Sequence, residues 1–267
     1  LGNLHLARQL REVQVEDVLG REPVQLDLEV VASYLAGKSV LVTGAGGSIG
    51  SELVRQISDF GPARLALLDS SEYHLYEIDQ ELSRRHSALP RAMLLADVRD
   101  PRRLNALLAA ERPEIVFHAA ALKHVPMVEA HPDEGVLTNA IGTRIVADAC
   151  VKHGVGAMVV ISTDKAVNPS SVMGASKRLA EQYCQALDLA EAKKERGTHF
   201  VAVRFGNVLC STGSVVPLFQ KQLADGGPLT VTHPEVDRYF MTVREALDLV
   251  LMASAMGAAH RPVSGKL

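Results

Sequence analysis

The chain is 267 residues long and 47% hydrophobic, enough to bury a full core as one main domain with an appendage. Its 28 Lys and Arg against 31 Asp and Glu leave a net charge of −3, which excludes a general electrostatic grip on nucleic acid and confines any nucleotide ligand to a local pocket. Three scattered cysteines, Cys150, Cys184 and Cys210, suit neither a disulfide framework nor a metal site, so no metal and a reducing, cytoplasmic compartment are expected.

In chain order, residues 1–26 are mixed in charge and weakly periodic, and 1–37 reads as an N-terminal arm ending in a linker helix. That helix, DLEVVASYLA, takes Asp27 as its N-cap and Gly37 as its stop. The start in LGNLHLARQL, without a methionine, suggests a trimmed chain, and Lys266 and Leu267 read as foreign to it. From Ser39 onward apolar β-rich runs alternate with amphipathic stretches. VLVT precedes a helix from Ser48, LALLD one from Ser71, AMLLAD one from Arg102, EIVFHAA one from about Asp133 and AMVVIST one from Ser171; HFVAVRF closes the series. This alternation predicts an α/β fold with a doubly wound parallel sheet over 38–207, its strands buried on both faces. After Asn207 the pattern is broken by Gly213, Gly226, Gly227 and Pro228 before a last helix from about Val243 to Met256. Residues 208–267 are therefore expected to form a small, partial substrate cap. The apolar run 246–259 is too short to span a bilayer and is interrupted by Asp248, so no membrane contact is expected of this stretch.

Directly after the first run, Thr43 leads into GAGGSIG, in which Gly44, Gly47 and Gly50 open a helix. Glycines there let backbone N–H groups approach a pyrophosphate whose charge meets the positive end of the helix. With Asp69 ending the next run, the arrangement predicts a Rossmann-type dinucleotide site. A carboxylate at Asp69 would accept bonds from the ribose hydroxyls and repel a 2′-phosphate, favouring NAD over NADP, although the nearby Arg55 and Arg64 offer guanidinium groups that accommodate such a phosphate elsewhere. Asp97 is read either as an adenine contact or as a plain turn former.

Further along, STDKAVNPSSVMGASK places Met173 and Lys177 four residues apart, on one face of a helix. A thioether carries no proton, so an acid and a base must come from elsewhere, and Asp164 and Lys165 are the titratable groups available in the stretch. Plainer alternatives stay open: Lys177 as a solvated lysine paired with Glu181, Met173 as packing, and His124 as a structural histidine. Arg204 and Arg244 receive no assignment.

The glycine pattern, HAAA at 118–121, Asn139 and the 162–177 segment together resemble an extended short-chain dehydrogenase/reductase, which normally carries Tyr and Lys four residues apart. More narrowly, HAAALKHVPMVEAHP, STDKAVNP, VMGASK, RFGNVL and GSVVPLF resemble the CapD-type polysaccharide-biosynthesis nucleotide-sugar 4,6-dehydratases, in the membrane-anchored branch where Met replaces Tyr and the substrate is UDP-N-acetylglucosamine. EDVLGREPVQLD resembles the linker that follows the transmembrane helices in that branch. Two departures stand out: Cys210 replaces the usual Gly in GNVLGS, and the strand and helices that follow the cap helix in the family are missing.

The resemblance implies oxidation at C4 of the sugar, loss of water across C5 and C6, and hydride return to C6. It implies Asp164 as the acid at the C6 hydroxyl, Lys165 as the base at C5 and a candidate to take the C4 hydroxyl proton, and Lys177 on the nicotinamide ribose; Met173 would shape the pocket, and Thr163, which shares a strand face with Lys165, is kept as a hydrogen-bond partner for the C4 oxygen. It extends the cofactor set of Gly44, Gly47, Gly50, Asp69 and Asp97 to Ser48, Ile49, Ser70, Val98, Ala119 and Ala120. Lys123, His124, Asn207, Ser214, Val216 and Arg238 are implied as substrate contacts, Val215 joining Ser214 and Val216 through its backbone. It further implies a homo-oligomer and an inner-membrane protein with a cytoplasmic catalytic domain. Free Lys titrates near about 10.4 and free Asp near about 3.9, so the proposed roles require an enclosed, dry pocket that neutralises both. Adjacent strand residues face opposite sides, so Asp164 and Lys165 converge only if the chain bends there, and the following AVNP makes such a bend plausible. A nucleotide-sugar 4-epimerase and a catalytically silent, NAD-binding regulatory domain are the competing readings.

Overall fold

A computed structural model describes residues 28–209, 215–231, 233, 235 and 240–259, so the readings at Asp27, Cys210, Gly213, Ser214, Arg238, Lys266 and Leu267 lie outside the described residues. Strands β1 (Ser39–Thr43), β2 (Arg64–Asp69), β3 (Arg91–Leu95), β4 (Ile115–His118), β5 (Ala157–Thr163) and β6 (His199–Phe205) form one sheet in the order β3-β2-β1-β4-β5-β6. Every pairing in it is parallel. The period of two sorts side chains: Val40, Val42, Leu65 and Leu67 enter one core layer, while Leu41, Ala66 and Leu68 enter the other. Helices α1 (Glu29–Leu35), α2 (Ser48–Asp59), α3 (Glu72–Arg85) and α10 (Val243–Ala259) contribute to the first layer. The second is covered by α4 (Pro101–Glu111), α7 (Thr143–His153) and α8 (Val172–Glu191). Each fully buried leucine, such as Leu53 or Leu67, stabilises the fold by about 1.5–3 kcal/mol.

Local chemistry sets the helix starts. Ser71 Oγ accepts the His74 N–H ahead of α3, and the Asp100 carboxylate accepts those of Arg102 and Arg103 with Pro101 opening α4. Between β4 and α7 lie α5 (Val125–Ala130) and α6 (Pro132–Gly135), and the helix expected from about Asp133 is interrupted by a π-helical segment, Val136–Gly142. There the Thr143 hydroxyl takes the Asn139 carbonyl at 2.6 Å, while the Thr143 N–H turns to Ala140. The third strand ends at Leu95, two residues before Asp97. Beyond β6, β7 (Asn207–Val208) pairs with β8 (Phe240–Met241), and α9 (Val215–Ala224) lies between them in sequence. Leu247, Val250 and Leu251 of α10 are buried in the first core layer. Among the described residues, no helix is long and apolar enough to cross a membrane.

Candidate functional site

All six strands run parallel, but successive strands are added outward in opposite directions from β1 and from β4, and the crevice at the C-terminal ends of these two strands is the expected ligand position in an open α/β sheet. The glycine turn lines it. Gly44 has φ +66°, and a Cβ there would stand 2.7 Å from the Ala120 N. A Cβ on Gly50 would run into the Gly44 carbonyl. Gly47 is the N-cap of α2, Ser48 and Ile49 make its first turn, and Ala119 and Ala120 form the opposite wall. This tight glycine turn at the positive N-terminus of α2 fits a dinucleotide pyrophosphate. Asp69, at the end of β2, accepts the Gly46 and Ser71 N–H groups, each at 2.9 Å, so the same carboxylate that would meet a ribose also shapes the glycine turn; Ser70 beside it is exposed.

The two nearby arginines are committed elsewhere. Arg55 bonds Glu81 and Glu52, and Arg64 lies at the opposite end of β2, bonded to Glu111 at 2.6 Å. Asp97 sits in a turn, its carboxylate accepting the backbone N–H and the guanidinium of Arg99, which holds it below the usual carboxylate range. Val98 is buried against Gly142.

His118 joins the two halves of the crevice, and its protonation follows from its partners. The Thr143 hydroxyl already donates its proton to the Asn139 carbonyl, so it accepts from His118 Nε2 at 2.9 Å. Nδ1 is then the bare nitrogen, accepting from Thr43 Oγ1 at 2.7 Å. Burial, helped by the Lys177 charge, pushes this histidine down to about 3. Asn139 clamps the following stretch, bonding both the N–H and the carbonyl of Leu122 and donating to Ser176 Oγ at 3.1 Å. Lys123 and the α5 N-cap His124 follow on that stretch, both exposed.

On α8, Met173 and Lys177 are 4% and 5% exposed. Lys177 is not the solvated helix lysine of the plainer alternative: its Nζ donates to the Ile161 carbonyl at 2.6 Å, and burial brings it down to about 8 against the opposing pull of Glu181. Gly174 closes on the Lys165 carbonyl, where a Cβ would not fit.

Immediately after β5 the chain leaves extended geometry as a 3-10 turn, Asp164–Ala166, and Asn168 follows at φ +48°. The bend brings the expected groups together. Lys165 Nζ lies 3.0 Å from Asp164 Oδ1 and 3.2 Å from Asn207 Oδ1, and Thr163 Oγ1 donates to Asp164 at 2.9 Å. One expectation fails here: the pair is not enclosed, Lys165 and Asp164 being 35% and 51% exposed. Burial nudges the Asp164 carboxyl up, but the bonds from Lys165 and Thr163 outweigh it and hold the group below its ordinary value, so this aspartate is ionised rather than neutral. Val216 lies in α9.

Sequence reasoning missed the tie between Glu181 and Arg204. Glu181, 5% exposed, accepts from Ser162 Oγ and from both Nε and Nη2 of Arg204. Glu181 lies one turn beyond Lys177 in the sequence, but nothing local marks either as buried, so no sequence signal could have found the tie.

The family model described as polysaccharide biosynthesis protein matches residues 40–261. The chain is 50% identical over 248 residues to the capsular polysaccharide biosynthesis protein CapD of Staphylococcus aureus, covering 92% of this chain and 41% of that one. It is 50% identical over 256 residues to the probable polysaccharide biosynthesis protein EpsC of Bacillus subtilis strain 168, covering 96% of this chain and 42% of that one. The chain thus spans about two fifths of the length of these curated relatives. Among solved structures, a double mutant of DesIV, the dTDP-glucose 4,6-dehydratase of Streptomyces venezuelae with NAD bound, superposes with a TM-score of 0.70 at 25% identity, over 82% of this chain and 72% of that one.

Proposed function

We propose, from the premise that the chain belongs to the polysaccharide biosynthesis protein family, that it is the catalytic part of an NAD-dependent UDP-N-acetylglucosamine 4,6-dehydratase. The observation that carries this reading is the convergence of Thr163, Asp164, Lys165 and Asn207 on one turn at the C-terminal edge of the sheet, beside the buried Lys177. The likeness to a dTDP-glucose 4,6-dehydratase solved with NAD supports both the chemistry and the cofactor.

NAD, when bound, would accept a hydride from C4 of the sugar and return it at C6. The 4-keto group acidifies the C5 proton, so the chain must supply a base at C5 and an acid at the departing C6 hydroxyl. Lys165 is the base and Asp164 the acid in this reading. The charged pair becomes the required neutral pair by one internal proton transfer, from the Lys165 ammonium to the Asp164 carboxylate across their 3.0 Å contact. A sugar covering the turn favours that transfer, because excluding water penalises two charges more than two neutral groups. Thr163 would hold the C4 oxygen, whose hydroxyl proton Lys165, once neutral, would take as the hydride departs and release to solvent before accepting the C5 proton; Lys177 would hold the nicotinamide ribose and Met173 would form an apolar wall. Gly44, Gly47, Ser48, Ile49, Gly50, Asp69, Ser70, Asp97, Val98, Ala119 and Ala120 form the proposed dinucleotide site. NAD is favoured over NADP in this reading because a carboxylate at Asp69 would repel a 2′-phosphate and Arg55 and Arg64 are paired with acids. Lys123, His124, Asn207 and Val216, with Ser214 and Arg238, are the proposed nucleotide-sugar contacts.

In domain terms we read 1–37 as the arm and linker helix, 38–207 as the dinucleotide-binding unit and 208–267 as the substrate cap, with α10 of that last part packed into the core. The relatives' greater length supports a longer protein, which we read as membrane-anchored with this part on the cytoplasmic side, and as a homo-oligomer. The test is incubation with NAD and UDP-N-acetylglucosamine, with Lys165→Ala as control and the product read by mass spectrometry. A product lighter by one water supports the dehydratase; an isobaric product means 4-epimerisation; dinucleotide binding without turnover means a regulatory domain.

A further inference from the structure

Two successive face positions of α8 grip two successive residues of β5. Lys177 donates to the Ile161 carbonyl, and Glu181, one turn on, accepts from the Ser162 hydroxyl. Ser162 and Arg204 are register partners on β5 and β6, and Arg204 closes the triangle by bonding Glu181 through Nε and Nη2. Arg178 adds a longer contact to the same carboxylate at 3.4 Å. One buried anion therefore ties one helix to two strands immediately before the Thr163–Lys165 turn.

We propose that Glu181 is a positioning residue that seats α8 against the ends of β5 and β6 and keeps the neighbouring Lys177 in its charged form. The inference rests on the reading of this edge as the reacting one. The charged and titratable groups facing Lys177 are Glu181 and Cys184 from its own helix and His118 from β4; Arg204 reaches it from β6 only through Glu181. His118 is uncharged across the neutral range and Cys184 is pushed up to about 12, so Glu181 is the negative charge opposing the desolvation of Lys177. Arg204, by contrast, pulls that negative charge towards the strands.

The test uses Glu181→Gln and Arg204→Gln in the full chain, each compared with wild type by the pH titration of the Lys177 side chain in lysine-labelled protein, the signal being assigned with Lys177→Arg. Glu181→Gln should lower the Lys177 midpoint by about half a pH unit or more. Arg204→Gln, which keeps the carboxylate, should leave it at or above the wild-type value. A purely structural ion pair moves both variants in the same direction, so a midpoint unchanged in Glu181→Gln, or lowered alike in both, overturns the proposal. Should Glu181→Gln fail to fold, the double variant Glu181→Gln/Arg204→Gln removes both charges together and must still show the lowered midpoint. Turnover of the nucleotide sugar is measured on the same samples: opposite midpoint shifts in proteins that turn over nothing support the role of Glu181 and refute only the dehydratase reading.

Discussion

Two lysines serve the C-terminal end of β5 from opposite surroundings. Lys177, under α8, is 5% exposed and its position is dictated by a strand carbonyl and a buried carboxylate network. Lys165, on the turn, is 35% exposed and held by a partly exposed aspartate and an asparagine. The fold itself imposes desolvation on the first. At the second, desolvation must come from whatever covers the turn. Under the proposed function, a site divided this way would keep its cofactor-side lysine prepared and its reacting pair idle until the sugar arrives.

The largest effect should come from Lys165→Ala. If the open turn is where protons move, product formation falls by roughly 10²–10⁴-fold; a variant keeping more than a tenth of the wild-type rate would shift the base to the buried side. The rigid side is probed by Gly44→Ala, which combines a left-handed backbone with a Cβ 2.7 Å from Ala120 N. It should cost about 3 kcal/mol in chemical denaturation and remove dinucleotide binding. Unaltered stability would mean that the crevice is less rigid than its contacts imply.

His118 gives the same side a pH signature. Its value falls from an ordinary 6.5 to about 3 on folding, so the unfolded chain binds the extra proton first. Stability contributed by neutral His118 is complete above about 6.5 and is lost as the pH falls towards about 3. Denaturation curves across this range should flatten in His118→Gln, and an unchanged slope would assign the acid loss to other groups. The smallest effect is expected at Asp69. Asp69→Ala should weaken NAD about tenfold more than NADP by calorimetric titration, even though both suffer from loss of the Gly46 and Ser71 contacts. Equal losses would leave Asp69 only its role in shaping the turn.

Much of the sheet and of the glycine turn was legible beforehand because the determinants are local. Apolar runs of strand length, helix starts such as Ser71 and Ser171, and the glycine turn depend on residues a few positions apart. The π-helical segment at Val136–Gly142 escaped because a single widened turn leaves the apolar pattern of the surrounding helix undisturbed. The burial of Lys177 and the tie between Glu181 and Arg204 escaped because a lysine or glutamate on a helix looks the same in sequence whether it faces water or a sheet.

By itself the sequence determined the alternation of strands and helices, the place of the glycine turn and the set of groups able to carry protons. Only the tertiary structure decided which of those groups are charged. Ionisation depends on solvent exposure and on partners such as Ser162, Glu181 and Arg204, brought together from separate elements when α8 packs across β5 and β6. Asp164 is ionised and Lys177 sealed for the same physical reason: the energy of a charge is set by what surrounds it in space, not by what precedes it in the chain.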